Sequence, residues 1–548
     1  MRGRRIGAAA ALLIVSVLIM TGCGAKKQTE TTASTGASPA ANLSPTTPPG
    51  TQSVDSVVWA LYRDTYTLDP IQVFDYAENT PAVLLYESLL HQAPDGSVGP
   101  GLAELTQPDD KTLVFTIKTN AKFWDGNPVT PDDVVFSLER QMDPKLGGFY
   151  GASFSRVQTI AATGSDQVTI TLTQPDYWLA GELSGVAGMI VEKSFVEKEG
   201  KNYGTPAGKI MGTGAYMLES WKPGAGVTVV VNPGYWNPDV RPLAKKIVLK
   251  GVPAASSLST GLQTGGIQGS FLQDVSMLPQ FEASSKLSVF KGPSWATDAL
   301  VICNLKGALG DVRVRKALSL AVDRESIIST VYKGAAELPR WLANPGTFGY
   351  ARETFDAAYQ SSPVLGQDLE QAKTLVQEAG ASGKPLVIGM TAEVSSIAGV
   401  AEAYRAAATA IGLKPKFKTV SAQNYGYFFT DPKAREGVDC FDTLNYGDYA
   451  DPAALLATVV LPDGSQNFSG YQNAEMVSLL EKARGTADPA ERASLVSQAE
   501  QLAAEDLPWI PDVQPIQVTV MSKSLSGTTA SFAYMFAPWA DQLGGTGN

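Results

Sequence analysis

The chain predicts an α/β body of more than one lobe, carried outside the cytoplasm. Three observations lead there. Its 548 residues are 44% apolar and 9% aromatic, too apolar for a disordered chain and too long for a single core. Short alternating runs of strand type are interleaved with capped apolar stripes of helical period. A basic start and a short apolar run precede a cysteine, the pattern of an export signal.

The export signal comes first. Arg2, Arg4 and Arg5 precede an apolar run from Ile6 to Met20, and Thr21-Gly22-Cys23 follows as a lipoprotein cleavage box. Fifteen apolar residues are too few to span a bilayer comfortably. The expectation is a signal peptide over 1–22, cleavage after Gly22, and a lipidated Cys23 whose palmitate-type acyl chains tether the protein to the cell membrane. Losing residues 1–22 removes three arginines and no acid, which takes the formal charge from −11 to −14. So acidic a chain, without a basic stripe, is a poor nucleic-acid binder. Residues 23–53 are small, polar and Pro-rich, which predicts a flexible stalk.

Ordered structure should begin near Ser53, where Val54, Val57, Trp59 and Leu61 suggest a first strand. Leu113, Phe115 and Ile117 alternate before the Asp125-Gly126 turn. Thr130 then caps a helix with Pro131 at its first position and Asp133 near its positive end. Val168, Ile170 and Leu172 mark another strand, and Val227 to Val231 a third, closed by Asn232-Pro233-Gly234. Asp311, Asp323 and Asp368 are caps of three later helices, the last carrying Leu369, Ala372, Val376 and Ala379 on one face before Gly380. Residues 396–412 and 473–504 read as further helices, the second region broken at Pro489.

Chemistry-bearing motifs are missing. Gly204 to Lys209 is one residue short of a phosphate loop, and Ile210 stands where a hydroxyl residue is needed. Gly212-Thr213-Gly214 lacks the third glycine of a dinucleotide site. One histidine, His91, placed after an apolar helix end, leaves no metal-ligand set and no triad, so no metal, no cofactor and no enzyme activity are expected. With Cys23 lipidated, Cys303 and Cys440 are either an exported-compartment disulfide or two lone buried thiols.

Several segments, in order, resemble the family 5 extracellular solute-binding proteins, the peptide and nickel binding components of ABC importers. They are Leu68-Asp69-Pro70; Tyr86 to Leu90; Pro100 to Glu104; Lys122 to Gly126 running through Val129 to Val134; Gly212 to Tyr216; Asn304; Asp311 to Leu318; Asp323-Arg324; and Gly447 to Pro452. The resemblance implies a periplasmic-binding-protein-like fold of class II, cluster C type: a two-lobe Venus flytrap with an inserted subdomain. It places lobe I at 54–95, 206–297 and 513–548, the subdomain at 96–205, lobe II at 298–512, and the hinge near 296–300 and 508–514.

It also implies a site. In peptide binders of this family an aspartate at the position of Asp448 holds the ligand's ammonium, with Tyr446 beside it. Tyr427 or Tyr425, Phe74, Tyr76, Phe149 and Tyr150 are the expected cleft aromatics, and Lys433 and Arg435 fall near one place where oligopeptide binders carry an arginine for the ligand carboxylate. The place of a second is taken by Asp442 or a neighbour. The implied function is a monomeric, lipid-anchored extracytoplasmic receptor. It captures a peptide or peptide-like solute and delivers it, by hinge closure, to an ABC permease served by a cytoplasmic ATPase. Non-peptide ligands (a sugar, an opine, a chelated metal), a ligand-sensing lipoprotein and an extracytoplasmic hydrolase are the alternatives.

Overall fold

A computed structural model describes residues 43–547. The expected signal peptide, the expected lipidation site Cys23 and the start of the expected stalk lie outside the described residues. Strand Val57–Leu61 sits inside a seven-stranded mixed sheet, between Lys246–Gly251 and Gly269–Leu272, both parallel to it. Outward from these lie Gly226–Val231 and Tyr216–Lys222 on one side, and Gln517–Ser522 and Leu287–Gly292 on the other. Trp59 is fully buried against Trp539 and Phe271, with ring centroids 4.7 and 4.8 Å away.

The chain leaves this sheet after Gly292 and enters a second one at Thr297, returning between Pro515 and Gln517. The second sheet has six strands, with Thr297–Ile302 between Cys440–Asn445 and Trp509–Pro515. Helices cover both its faces, which explains why Thr297–Ile302 is buried at every position instead of alternating. A four-stranded antiparallel sheet is inserted in sequence between strands Val57–Leu61 and Tyr216–Lys222 of the first sheet, and its strands Thr112–Ile117 and Gln167–Leu172 alternate as their sequence requires.

Local signals correspond to local structure. Thr130 and Asp133 form a reciprocal capping box at helix Pro131–Met142. Asp311, Asp323 and Asp368 accept backbone N–H bonds at three helix starts. Pro489 opens helix Pro489–Asp506 at its first turn, behind the Asp488 cap.

Two readings need correction. Residues 43–53 are not a free stalk. Thr47 is buried, its Oγ1 accepts the N–H groups of Gly527 and Thr528 at 2.9 Å, and Gly50 N–H donates to Gln542 O at 3.0 Å. A polar segment is ordered here because the C-terminal stretch supplies its backbone partners. His91 is not at a helix end: helix Tyr76–Leu85 stops earlier, and His91 lies in strand Leu90–Gln92.

The cysteine alternative resolves to free thiols. Cys440 pairs in register with Ile302, and both are buried in the cluster with Leu318 and Tyr404. Cys303, one residue on, packs against the cluster holding Trp341 and Phe441. Successive strand residues point to opposite faces, so the sheet itself separates the two sulfurs. Burial pushes the Cys303 thiol up to about 12 and raises Cys440 as well.

Candidate functional site

Between the two large sheets lies a cavity of about 670 Å³. From the side of the first sheet it is lined by Tyr62, Asp75, Tyr76 and Gln273, and from the other by Asp298, Tyr332, Ile397, Tyr425, Phe429 and Asp442. Asp75 caps the helix that carries Tyr76 and shares Arg63 with Glu78, at 2.6 Å each. Tyr425 is buried, and its hydroxyl donates to Asp442 O at 2.7 Å, which ties its helix to strand Cys440–Asn445.

Asp448 lies just beyond that strand, half-buried at the seam where the two bodies meet. Gln92 Nε2 donates to its backbone carbonyl at 3.0 Å. Among the described residues its carboxylate receives no ion pair or side-chain hydrogen bond, and burial pushes it up to about 7. Glu182, on the short helix Leu179–Glu182, is the nearby acid. Burial first and Asp448 second push it up to about 8, although Ser153 Oγ donates to it at 3.0 Å. Gly181 lets the Tyr449 ring pack over this short helix, since a Cβ there would stand 2.4 Å from the ring.

The expected aromatics divide. Tyr446 spans the seam, donating to Phe74 O at 3.2 Å and meeting Tyr76 edge-on with ring centroids 5.3 Å apart. Phe74 and Phe149 are exposed and stacked at 3.9 Å at the rim. Tyr150 is buried with its hydroxyl on Val73 O, and Tyr76 and Tyr425 line the cavity. Tyr427 is half exposed and outside the cavity lining.

Lys433 is on the surface, and Arg435 donates to Phe428 O while its guanidinium lies 4.3 Å from the Phe468 ring centre. Neither basic group lines the cavity, because the turn after Asp431 points them elsewhere. Asp298, Tyr332, Tyr62 and Glu182 were not legible as site residues. Each is an ordinary strand, turn or helix residue until the strands pair.

The profile of the bacterial extracellular solute-binding proteins, family 5 Middle, matches residues 97–467. The chain belongs to that family. This solute-binding protein is 26% identical over 485 residues to the periplasmic oligopeptide-binding protein OppA of Salmonella typhimurium, covering 84% of this chain and 88% of the relative. Among solved structures it resembles DppA from Helicobacter pylori in complex with the peptide STSA, at TM-score 0.77 and 22% identity over 90% of this chain and 99% of that one. It also resembles AgaA from A. tumefaciens R10 in complex with agropinic acid, at TM-score 0.76 and 22% identity over 89% and 98%. The fold is the two-lobe periplasmic-binding-protein fold. Among the described residues no helix is long and apolar enough to cross a membrane.

Buried carboxyls predict a stability that falls as pH rises. Burial holds Asp448 and Glu87 up to about 7, and Glu182, Glu500 and Asp541 up to about 8. Unfolded, these groups lose their protons near 3.8 for Asp and 4.5 for Glu. Between those values and pH 8 the folded form holds more protons, so stability falls as pH rises. Thermal melts of the ligand-free protein should show a Tm higher at pH 5 than at pH 8 by roughly 5 °C or more. A Tm that rises over that interval contradicts the assignment.

Proposed function

We propose that this protein is the lipid-anchored, extracytoplasmic receptor of an ABC importer. It captures a peptide or peptide-like amine between its lobes and presents the closed form to a membrane permease. The observation that carries the reading is the Asp448 carboxylate, half-buried at the seam without a cation. A ligand ammonium would complete it as a charge-assisted pair, strengthened when closure removes water. Tyr446, Tyr76, Phe74 and Phe149 would supply stacking surface tolerant of varied side chains. Kinship to OppA and the peptide-bound DppA structure support the ligand class.

In this reading lobe I comprises 54–95, 206–297 and 513–548, the subdomain 96–205 and lobe II 298–512, with Cys23 as the tether. The tether keeps the receptor at high effective concentration beside its permease. A non-peptide amine is the second reading, favoured by the lining of the cavity, in which Lys333 is the one basic residue among the described residues. Native mass spectrometry of the protein purified without refolding tests both. A retained small molecule bearing a primary amine is expected, with amino-acid fragments if it is a peptide. A retained ligand without any amine overturns the role of Asp448.

A further inference from the structure

We propose that the cavity selects a ligand with a second cationic group, an ammonium or guanidinium received by Asp442 and Asp298 at a place distinct from Asp448. The proposal rests on the reading of this cleft as the solute site and names the class of solute.

Asp298, Asp442 and Asp512 come from three adjacent strands, and their carboxylate oxygens lie within 4.8 Å of one another. Strand register produces the cluster. Leu300 faces Asp442 and Asp298 faces Leu444, so the two acids are diagonal neighbours on one face. The register with Trp509–Pro515 shifts between Asp298 and Ala299, a bulge that brings Asp512 alongside. All three residues are at most 2% exposed.

Their partners do not balance them. Asp298 accepts from Tyr332 Oη at 2.6 Å, and Asp512 accepts from Tyr404 Oη. Among the described residues, Asp442 Oδ1 and Asp512 Oδ2 receive no hydrogen bond from any group outside the cluster. The guanidinium of Arg324 donates to Pro511 O, Ser319 O and Ser319 Oγ, and to none of the three carboxylates. Burial, and for Asp442 and Asp512 the neighbouring carboxyls, raise all three, so the empty cluster holds protons that an arriving cation displaces as it gains charge-assisted bonds.

The cluster opens to the cavity through Asp298 and Asp442. The other charges of the lining are already used: Asp75 is held by Arg63, Asp274 caps the turn at Ser276, and Lys333 Nζ donates to Thr330 O on the exposed side. Asp298 and Asp442 are therefore the carboxyls of the lining that a ligand cation can ionise and pair with. A cavity of about 670 Å³ lined by Tyr76, Tyr425 and Phe429 has the size and the aromatic faces for an organic cation, well beyond the needs of a bare ion.

Calorimetric titration of the folded protein with alanyl-arginine amide, alanyl-leucine amide and agmatine tests the inference. Alanyl-arginine amide should bind at least about tenfold tighter than alanyl-leucine amide, and in Asp442→Asn the ratio should fall to within about twofold. Asp298→Asn is the second variant, should Asp442→Asn fail to fold. Equal affinity for the two amides in the native protein overturns the cationic site while leaving the peptide reading intact. Binding of agmatine alone, weakened in Asp442→Asn, upholds the site and removes the peptide reading. No binding of any of the three overturns the inference. So does stabilisation by calcium or manganese chloride that vanishes in Asp442→Asn without any preference between the amides, because the cluster then holds an inorganic ion.

Discussion

Asp448→Ala is expected to weaken binding of an amine-bearing ligand by at least about a hundredfold while leaving the ligand-free protein as stable as before or more so. The two halves of that result have one cause. In the empty protein the carboxylate lacks a partner, and burial lifts it to about 7. Its charged form is thus destabilised at neutral pH, and removing it relieves a cost. With ligand in place the same burial strengthens the pair, since the attraction between charges grows as water is excluded. The Gln92 bond goes to the backbone carbonyl of Asp448 and survives the substitution. Calorimetry of both proteins against the same free-amine peptide, with melts of the empty forms, makes the check. Unchanged affinity would remove Asp448 from the site, and a large loss of stability without ligand would make it a structural residue.

The parts of this molecule legible in its sequence are those whose causes are local. Thr130 caps its helix because Asp133 is three residues away, and the alternation at Leu113, Phe115 and Ile117 faces one core. The packed strap at 43–53 was hidden because the partner of Thr47 is 481 residues distant. The site shows the same division. Asp448 and Tyr446 lie in a recognisable segment, whereas Asp298, Asp442 and Asp512 meet only through strand pairing and a bulge. Arg435 was misplaced for the opposite reason. It was expected there only because oligopeptide binders carry an arginine near that place, but a nearby carbonyl and the Phe468 ring already engage it.

Arg484→Ala should act on closure. Arg484 ends helix Ala474–Arg484, and its Nη2 meets Asp176 at 2.5 Å, with Asp176 almost wholly buried. Asp176 belongs to the segment that carries the four-stranded sheet, so this pair joins that segment to the second large body, as do Arg156 with Glu481 and Trp178 packed into the core beyond. Without Arg484, Asp176 keeps, among the described residues, one hydrogen bond, from the Trp178 N–H at 3.1 Å, and the more distant field of Arg156. An uncompensated buried carboxylate of this kind costs about 3–5 kcal/mol. Opening the seam would let water reach Asp176, so the cost falls on the closed form and shifts the open-to-closed ratio by more than about a hundredfold. Small-angle scattering should show a larger radius of gyration for ligand-free Arg484→Ala than for the native protein, and ligand affinity should fall in step. Adding Asp176→Asn should recover much of the affinity, because the stranded charge is removed. If the single variant instead melts far below the native protein at an unchanged radius of gyration, the pair holds the fold together and has no part in closure.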